Sequence, residues 1–185
     1  MNQLQTAIAI GVGLTIWTKK FYSIGMISGS SMKPTLNNNS TDFVLLDRRS
    51  PCSRGDVVFL INPSQPNQKL VKRIAALPGD LIWTGPDPPD AQSLPVELDP
   101  LEKPKPPKNV WIKIPRGHMW IESDSIEDGY DSSRLGPVSQ TLITAKVLKI
   151  VWPLDKWNQS LGNQSRAQMA GRVAIKLQSQ NTDHV

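Results

Sequence analysis

Ser31 lies in the run Ile27-Ser-Gly-Ser-Ser-Met-Lys-Pro-Thr-Leu36, where small residues surround a cluster of hydroxyls. Small neighbours let an extended substrate backbone approach, and Pro34 biases Lys33 toward extended geometry, stiffening the loop just past Ser31 and Met32. A serine hydroxyl alone is a weak nucleophile and needs an adjacent base. A second segment, Lys69-Leu-Val-Lys-Arg-Ile-Ala-Ala-Leu-Pro-Gly-Asp80, could supply one. It alternates as a strand before a Pro-Gly turn, and side chains two apart share a face, so Lys72 stands with Leu70 and Ile74 while Arg73 stands with Val71 and Ala75. A lysine in water has a pKa of about 10.4 and is no base at neutral pH, but burial can lower it by up to ~3 to 5 units. Lys72 on its apolar face could therefore deprotonate Ser31, a serine–lysine variant of the triad logic. Taken singly, each segment has a plainer reading: a Ser/Gly linker, and an edge-strand lysine whose stem covers apolar surface while its head reaches water.

A third segment, Pro115 to Val138, runs from a turn through a short strand into a polar loop rich in carboxylates and hydroxyls. Asp124 or Asp131 could pair with Arg73 or Arg134 and hold the neighbourhood rigid, since such pairs orient more than they stabilise. The loop lacks the ligand spacing of a helix-loop-helix calcium site, so no metal and no cofactor is expected. His118 is the rival base. It follows a Pro-Arg-Gly turn and no G-x-S-x-G elbow accompanies it, while His184 sits in a polar terminus; the lysine is preferred.

These residues need a scaffold. Short, β-branched apolar runs bounded by turn residues predict strands at 43–46, 57–61, 70–76, 81–83, 110–114, 119–121 and 143–151. With almost no internal helix pattern and sixteen prolines, the fold class is mainly β, sandwich-like or barrel-like. Residues 85–108, dense in Pro, Asp and Lys, read as an exposed insertion. Residues 158–185 read as a polar C-terminal tail. The apolar run Ala7 to Trp17 is short for a span, so an N-terminal membrane-anchor helix over 1–27 requires the helix to continue past Lys19 and Lys20 through Phe21 to Ile27. A cleaved signal peptide is disfavoured because the charges follow the apolar run instead of preceding it. The single cysteine, Cys52, excludes an internal disulfide. The net charge of +5 is scattered rather than gathered into a stripe with aromatics, which argues against nucleic acid.

Taken in order, Ser31-Met-Lys-Pro-Thr35, Lys72-Arg-Ile-Ala-Ala-Leu-Pro-Gly-Asp80 and Asp124 through Asp131-Ser132 resemble the type I signal peptidase family, over most of residues 28–153. Lys113-Ile-Pro-Arg-Gly-His-Met-Trp-Ile-Glu122, Leu135-Gly-Pro-Val138 and Trp152-Pro-Leu-Asp-Lys-Trp157 look most like its mitochondrial inner membrane protease subunit 2 branch. The resemblance implies a β-rich Ser/Lys peptidase domain over 28–157 behind a membrane anchor, removing sorting signals from precursor proteins delivered to the intermembrane space. It implies Ser31 as nucleophile, Lys72 as base, and Arg73, Asp124, Asp131 and Ser132 as organisers of the site, with Arg73 partnering Asp124. Met32 and Gly29 are expected beside the substrate. It further implies the mitochondrial inner membrane as location, a domain facing the intermembrane space, and a homologous peptidase subunit as partner; the alternative is a non-catalytic subunit that stabilises an active one. Lys19 and Lys20 alone would put the following domain on the matrix side, and the family orientation is preferred.

Some positions depart from the family pattern. Gly29 stands where bacterial members often carry a second serine, so backbone N–H groups at Ser31 and Ser30 are expected to serve the oxyanion. Gly129 replaces a serine often found near the lysine, Ser123 replaces a glycine, and Ser133-Arg134 shifts an arginine by one place.

Overall fold

A computed structural model describes residues 21–88, 94–98, 106–125, 130–157, 159–162, 165 and 171–174. Among these residues the chain is mainly β, as its short alternating runs predict. One sheet has the strand order β1-β2-β10-β3-β4-β8-β9 and a second has the order β11-β5-β7-β6. The strands are β1 (Tyr22–Met26), β2 (Phe43–Asp47), β3 (Val57–Asn62), β4 (Gln65–Ala76), β5 (Leu81–Trp83), β6 (Val96–Glu97), β7 (Trp111–Lys113), β8 (His118–Glu122), β9 (Val138–Ser139), β10 (Ile143–Trp152) and β11 (Val173–Ala174). A one-turn helix, α1 (Ser132–Leu135), lies between β8 and β9.

The larger sheet is buried on both faces. Val57, Phe59, Val44 and Ala145 pack with Ile27, Met32 and Leu36 on one side. Val58, Leu60, Ile74, Ile121 and Val138 pack on the other. This two-sided burial explains why β3 reads as a continuous apolar run, Val57-Val-Phe-Leu-Ile61, instead of an alternating one. β3 and β4 form an antiparallel hairpin with Val58 opposite Lys72 and Val57 opposite Arg73. The smaller sheet closes over Ala75, Ala76 and Trp120 with Ile82, Ile112 and Ile114.

Two segments differ from the sequence reading. The anchor helix cannot run to residue 27, because Tyr22–Met26 pair antiparallel with β2 and Ile27 enters the core. The apolar continuation beyond Lys20 therefore has a period of two: Tyr22, Ile24 and Met26 face outward while Ser23 and Gly25 alternate with them. A Cβ at position 25 would fall 2.8 Å from the Leu46 side chain, so glycine lets β1 lie flat on the sheet. Residues 1–20, the rest of the expected anchor, lie outside the described residues. Among the described residues no helix is long and apolar enough to cross a membrane. Within 158–185, β11 pairs with β5, Ser165 is fully buried, and Arg172 reaches Glu122 at 2.9 Å, so part of this polar stretch is built into the domain. Within 85–108, β6 adds to β7 in parallel. Cys52 is a free, half-buried thiol whose pKa is pushed up chiefly by burial, then by nearby Asp56.

The Leu77-Pro-Gly-Asp80 turn joins the two sheets. The Asp80 carboxylate, 1% exposed, accepts the Leu77 N–H at 2.8 Å and both Nε and Nη2 of Arg54 at 2.6 and 2.5 Å. Gly79 N–H and the Asp80 carbonyl bond Ile114, just past β7. Asp80→Ala strands the part-buried Leu77 amide and the Arg54 guanidinium and is expected to lower stability by about 1–3 kcal/mol in urea unfolding. Asp80→Asn, which can still accept from Leu77, is expected to lose less.

Candidate active site

β4 and β8 set the site by register. Their antiparallel ladder pairs Ile74 with Ile121 and Arg73 with Glu122. One further step along both strands sets Lys72 opposite Ser123. Because side chains alternate, Lys72 and Ser123 share one face while Arg73 and Asp124 share the other. The two dipeptides Lys72-Arg73 and Ser123-Asp124 thus meet as two pairs on two sides of one sheet.

On the first face Lys72 Nζ donates to Ser123 Oγ at 3.0 Å, with Lys72 2% and Ser123 0% exposed. Val58, opposite Lys72 in the β3–β4 ladder, belongs to the buried cluster that includes Leu60, Ile74 and Ile121. On the second face Arg73, also 2% exposed, holds Asp124 through two bonds, Nε to Oδ1 at 2.8 Å and Nη2 to Oδ2 at 2.6 Å. The remaining guanidinium donors reach the Gly55 carbonyl at 2.7 Å, the Leu161 carbonyl at 2.7 Å, the Gly162 carbonyl at 3.1 Å and Thr35 Oγ1 at 3.4 Å. A planar fork with five donors can satisfy such a ring of acceptors; an ammonium could not.

Ser31 approaches from the loop after β1. Its Oγ stands 3.4 Å from the carbonyl oxygen of Val71, the residue directly before Lys72. Its own carbonyl accepts the Ser125 N–H at 2.9 Å, so the loop is tied to the segment that carries Ser123 and Asp124. Ser31 is half-buried, and Ser30 and Gly29 are exposed. Met32 is buried with Ile27 and Leu36, so its side chain seats the loop from beneath and offers no surface to a substrate. Gly29 has φ of +91° and open space where a Cβ would project.

Asp131 and Ser132 act from behind β8. The Asp131 carboxylate, 1% exposed, caps α1 through Ser133 N–H at 3.0 Å, accepts Ser133 Oγ–H at 2.7 Å, and takes the Ser123 N–H at 3.0 Å. Ser132 Oγ accepts the Ile121 N–H at 2.9 Å. Both fix the backbone at the end of β8.

Ser31, Lys72, Arg73, Asp124, Asp131 and Ser132 are therefore gathered in one neighbourhood. His118 is not. It occupies the other end of β8, five residues or roughly 16 Å from Ser123, and its Nδ1 lies 3.0 Å from the Arg116 carbonyl. Gly129 lies outside the described residues. No cluster of three metal-ligating side chains occurs among the described residues. The side chain that sequence reading passed over is Ser123, weighed only as a replacement for glycine. The signal was present: the strand ending at Glu122 had to be laid antiparallel against Lys72-Arg73 and its register run one residue on.

Comparison with known proteins identifies the family. The family described as signal peptidase, peptidase S26, matches residues 2–152. The mouse protein named mitochondrial inner membrane protease subunit 2 is 35% identical over 159 residues, covering 82% of this chain and 79% of its own. Fission yeast mitochondrial inner membrane protease subunit 1 is 38% identical over 147 residues, covering 77% and 81%. Subunit 2 of the budding yeast protease is 34% identical over 147 residues, covering 75% and 72%. With the family matched across most of its length, the chain belongs to the signal peptidase family, peptidase S26.

Proposed function

We propose that the chain is a membrane-bound serine endopeptidase of the mitochondrial inner membrane, its catalytic domain facing the intermembrane space, that removes N-terminal sorting sequences from proteins delivered there. The observation that carries the reading is the buried Lys72 amine together with a half-buried Ser31 hydroxyl set against the carbonyl of the preceding residue, Val71. Family membership and the names of the relatives support the reaction class and the location. Those names also denote subunits, which supports a hetero-oligomer with a homologous peptidase subunit.

In this reading the neutral amine of Lys72, kept so by removal from water, takes the Ser31 proton as Oγ attacks the scissile carbonyl carbon. The carbonyl electron pair moves to oxygen, and the resulting oxyanion is met by backbone N–H groups of Ser31 and Ser30. Collapse of the tetrahedral species breaks the C–N bond, and the Lys72 ammonium gives its proton to the departing amine. Lys72, neutral again, then activates water to hydrolyse the Ser31 ester. No cofactor or metal takes part in these steps.

Two predictions follow from the roles assigned. In the purified complex, Ser31→Ala and Lys72→Ala are each expected to abolish cleavage of a precursor whose wild-type processing depends on this chain, with unchanged far-UV circular dichroism. Processing that persists with Ser31→Ala would assign the cut to the partner and leave this chain a stabilising subunit. Asp124→Ala is expected to leave the Arg73 guanidinium short of its counter-charge and to destabilise the domain by about 3 kcal/mol, measured by thermal unfolding. Activity should fall with it, because the loop bonded to Ser31 through Ser125 loosens.

A further inference from the structure

We infer that Ser123 is a positioning residue for Lys72, an inference that rests on the Ser31/Lys72 reading and adds a third side chain to it. The Lys72 Nζ to Ser123 Oγ bond is 3.0 Å and wholly inside the protein. Ser123 is itself immobilised. Its N–H is held by the Asp131 carboxylate at 3.0 Å, and two residues earlier the Ile121 N–H is held by Ser132 Oγ at 2.9 Å. The chain of contacts runs Ser132 and Asp131 to the end of β8, from there to the Ser123 hydroxyl, and from there to the amine.

The chemistry gives this contact a purpose. A lysine amine sits on a four-carbon stem with about 2 kcal/mol of rotamer freedom, and a base works only when its lone pair points at the proton it removes. A neutral amine has two N–H bonds and one lone pair. Spending one N–H on a fixed oxygen limits where the lone pair can point. The same oxygen accepts from the ammonium after proton transfer, so the contact survives both halves of the reaction. The charged groups packed around are already matched: Arg73 with Asp124 on the opposite face, Glu122 with Arg172, and Asp131 with the Ser123 and Ser133 amides.

The test uses the full chain co-produced with its homologous subunit and a peptide selected from a randomised library for cleavage by the wild-type complex. Ser123→Ala removes one buried oxygen and is compatible with the fold. It is expected to lower kcat by roughly 10²-fold with KM unchanged, since misplacement of a catalytic group by about 1 Å costs that much. Loss of the acceptor also disfavours the ammonium, so the low-pH limb of the kcat profile should move to lower pH. A role confined to stability would move the unfolding midpoint and leave that limb in place. Ser123→Thr, which keeps the hydroxyl, should restore much of kcat and return the limb. Wild-type kcat and an unmoved limb in Ser123→Ala overturn the inference. Lys72→Ala, assayed alongside, separates the two levels: if it still cleaves, the Ser31/Lys72 reading fails, whereas if it is dead and Ser123→Ala is normal, only the positioning role fails.

Discussion

The Arg73 guanidinium is the contact on which the rest of the molecule depends. A buried charge carries a desolvation penalty of several kcal/mol, so every acceptor around it must stay in place. Here the acceptors come from separate stretches of chain: Asp124 beyond β8, Gly55 before β3, Thr35 in the loop that carries Ser31, and Leu161 and Gly162 near the C-terminal end. One planar group thereby holds the loop of Ser31 and Thr35, the sheet and the Leu161–Gly162 stretch to a common point. Since Arg73 is covalently next to Lys72, that point adjoins the buried amine. The alternation of a strand then divides the labour. The Arg73 side carries the ion pair with Asp124, and on the other side the buried Lys72 amine meets Ser123 Oγ.

Much of this was legible in the sequence for a simple reason. Strands with a buried face announce themselves by apolar runs, and the seven runs expected correspond to β2, β3, β4, β5, β7, β8 and β10. The alternation around Lys72 gave its face, and the resemblance named Asp124 as the partner of Arg73. What escaped was short, or depended on register. β6, β9 and β11 are two residues each and carry too few side chains to show a period. β1 was absorbed into the apolar segment ahead of it, because Tyr22, Ile24 and Met26 are apolar on the outward face, where a soluble edge strand would be expected to be polar. Met32 looked like a neighbour of the substrate because it adjoins Ser31, but a turn puts alternate side chains on opposite sides, and its sulfur-bearing chain fills the core instead. Ser123 was invisible because its role arises only once two distant strands are aligned.

The two members of the pair reach the site by different routes, and this asymmetry has a physical cost that the fold meets. Lys72 stands on a central strand, whose position is set by ladders to β3 and β8 on its two sides. Ser31 stands on a loop, and loops hold side chains less firmly than strands do. The loop is therefore pinned at several places. Ile27 N–H bonds the Asp42 carbonyl as the chain leaves β1, and Leu36 N–H closes a turn on the Met32 carbonyl. Ile27, Met32 and Leu36 plug it into the core. The fully buried Asp42 carboxylate accepts the Asn37 N–H at 2.6 Å and the Lys156 amine at 2.7 Å, while Asn37 Nδ2 reaches back to the Gly29 carbonyl at 2.8 Å.

These pins lie on the inner side and at the ends of the loop, and none of them covers its outer surface. Gly29 and Ser30 stay exposed and Ser31 half-exposed, while Lys72, one residue beyond the carbonyl that Ser31 touches, is 2% exposed. In the proposed reading, a polypeptide laid over the loop excludes further solvent from the Ser31 hydroxyl, while the Lys72 amine is already buried. Desolvation strengthens charge and dipole interactions at such a site. The arrangement is thus asymmetric: the Lys72 amine is enclosed by the core, whereas the Ser31 hydroxyl is only half-covered.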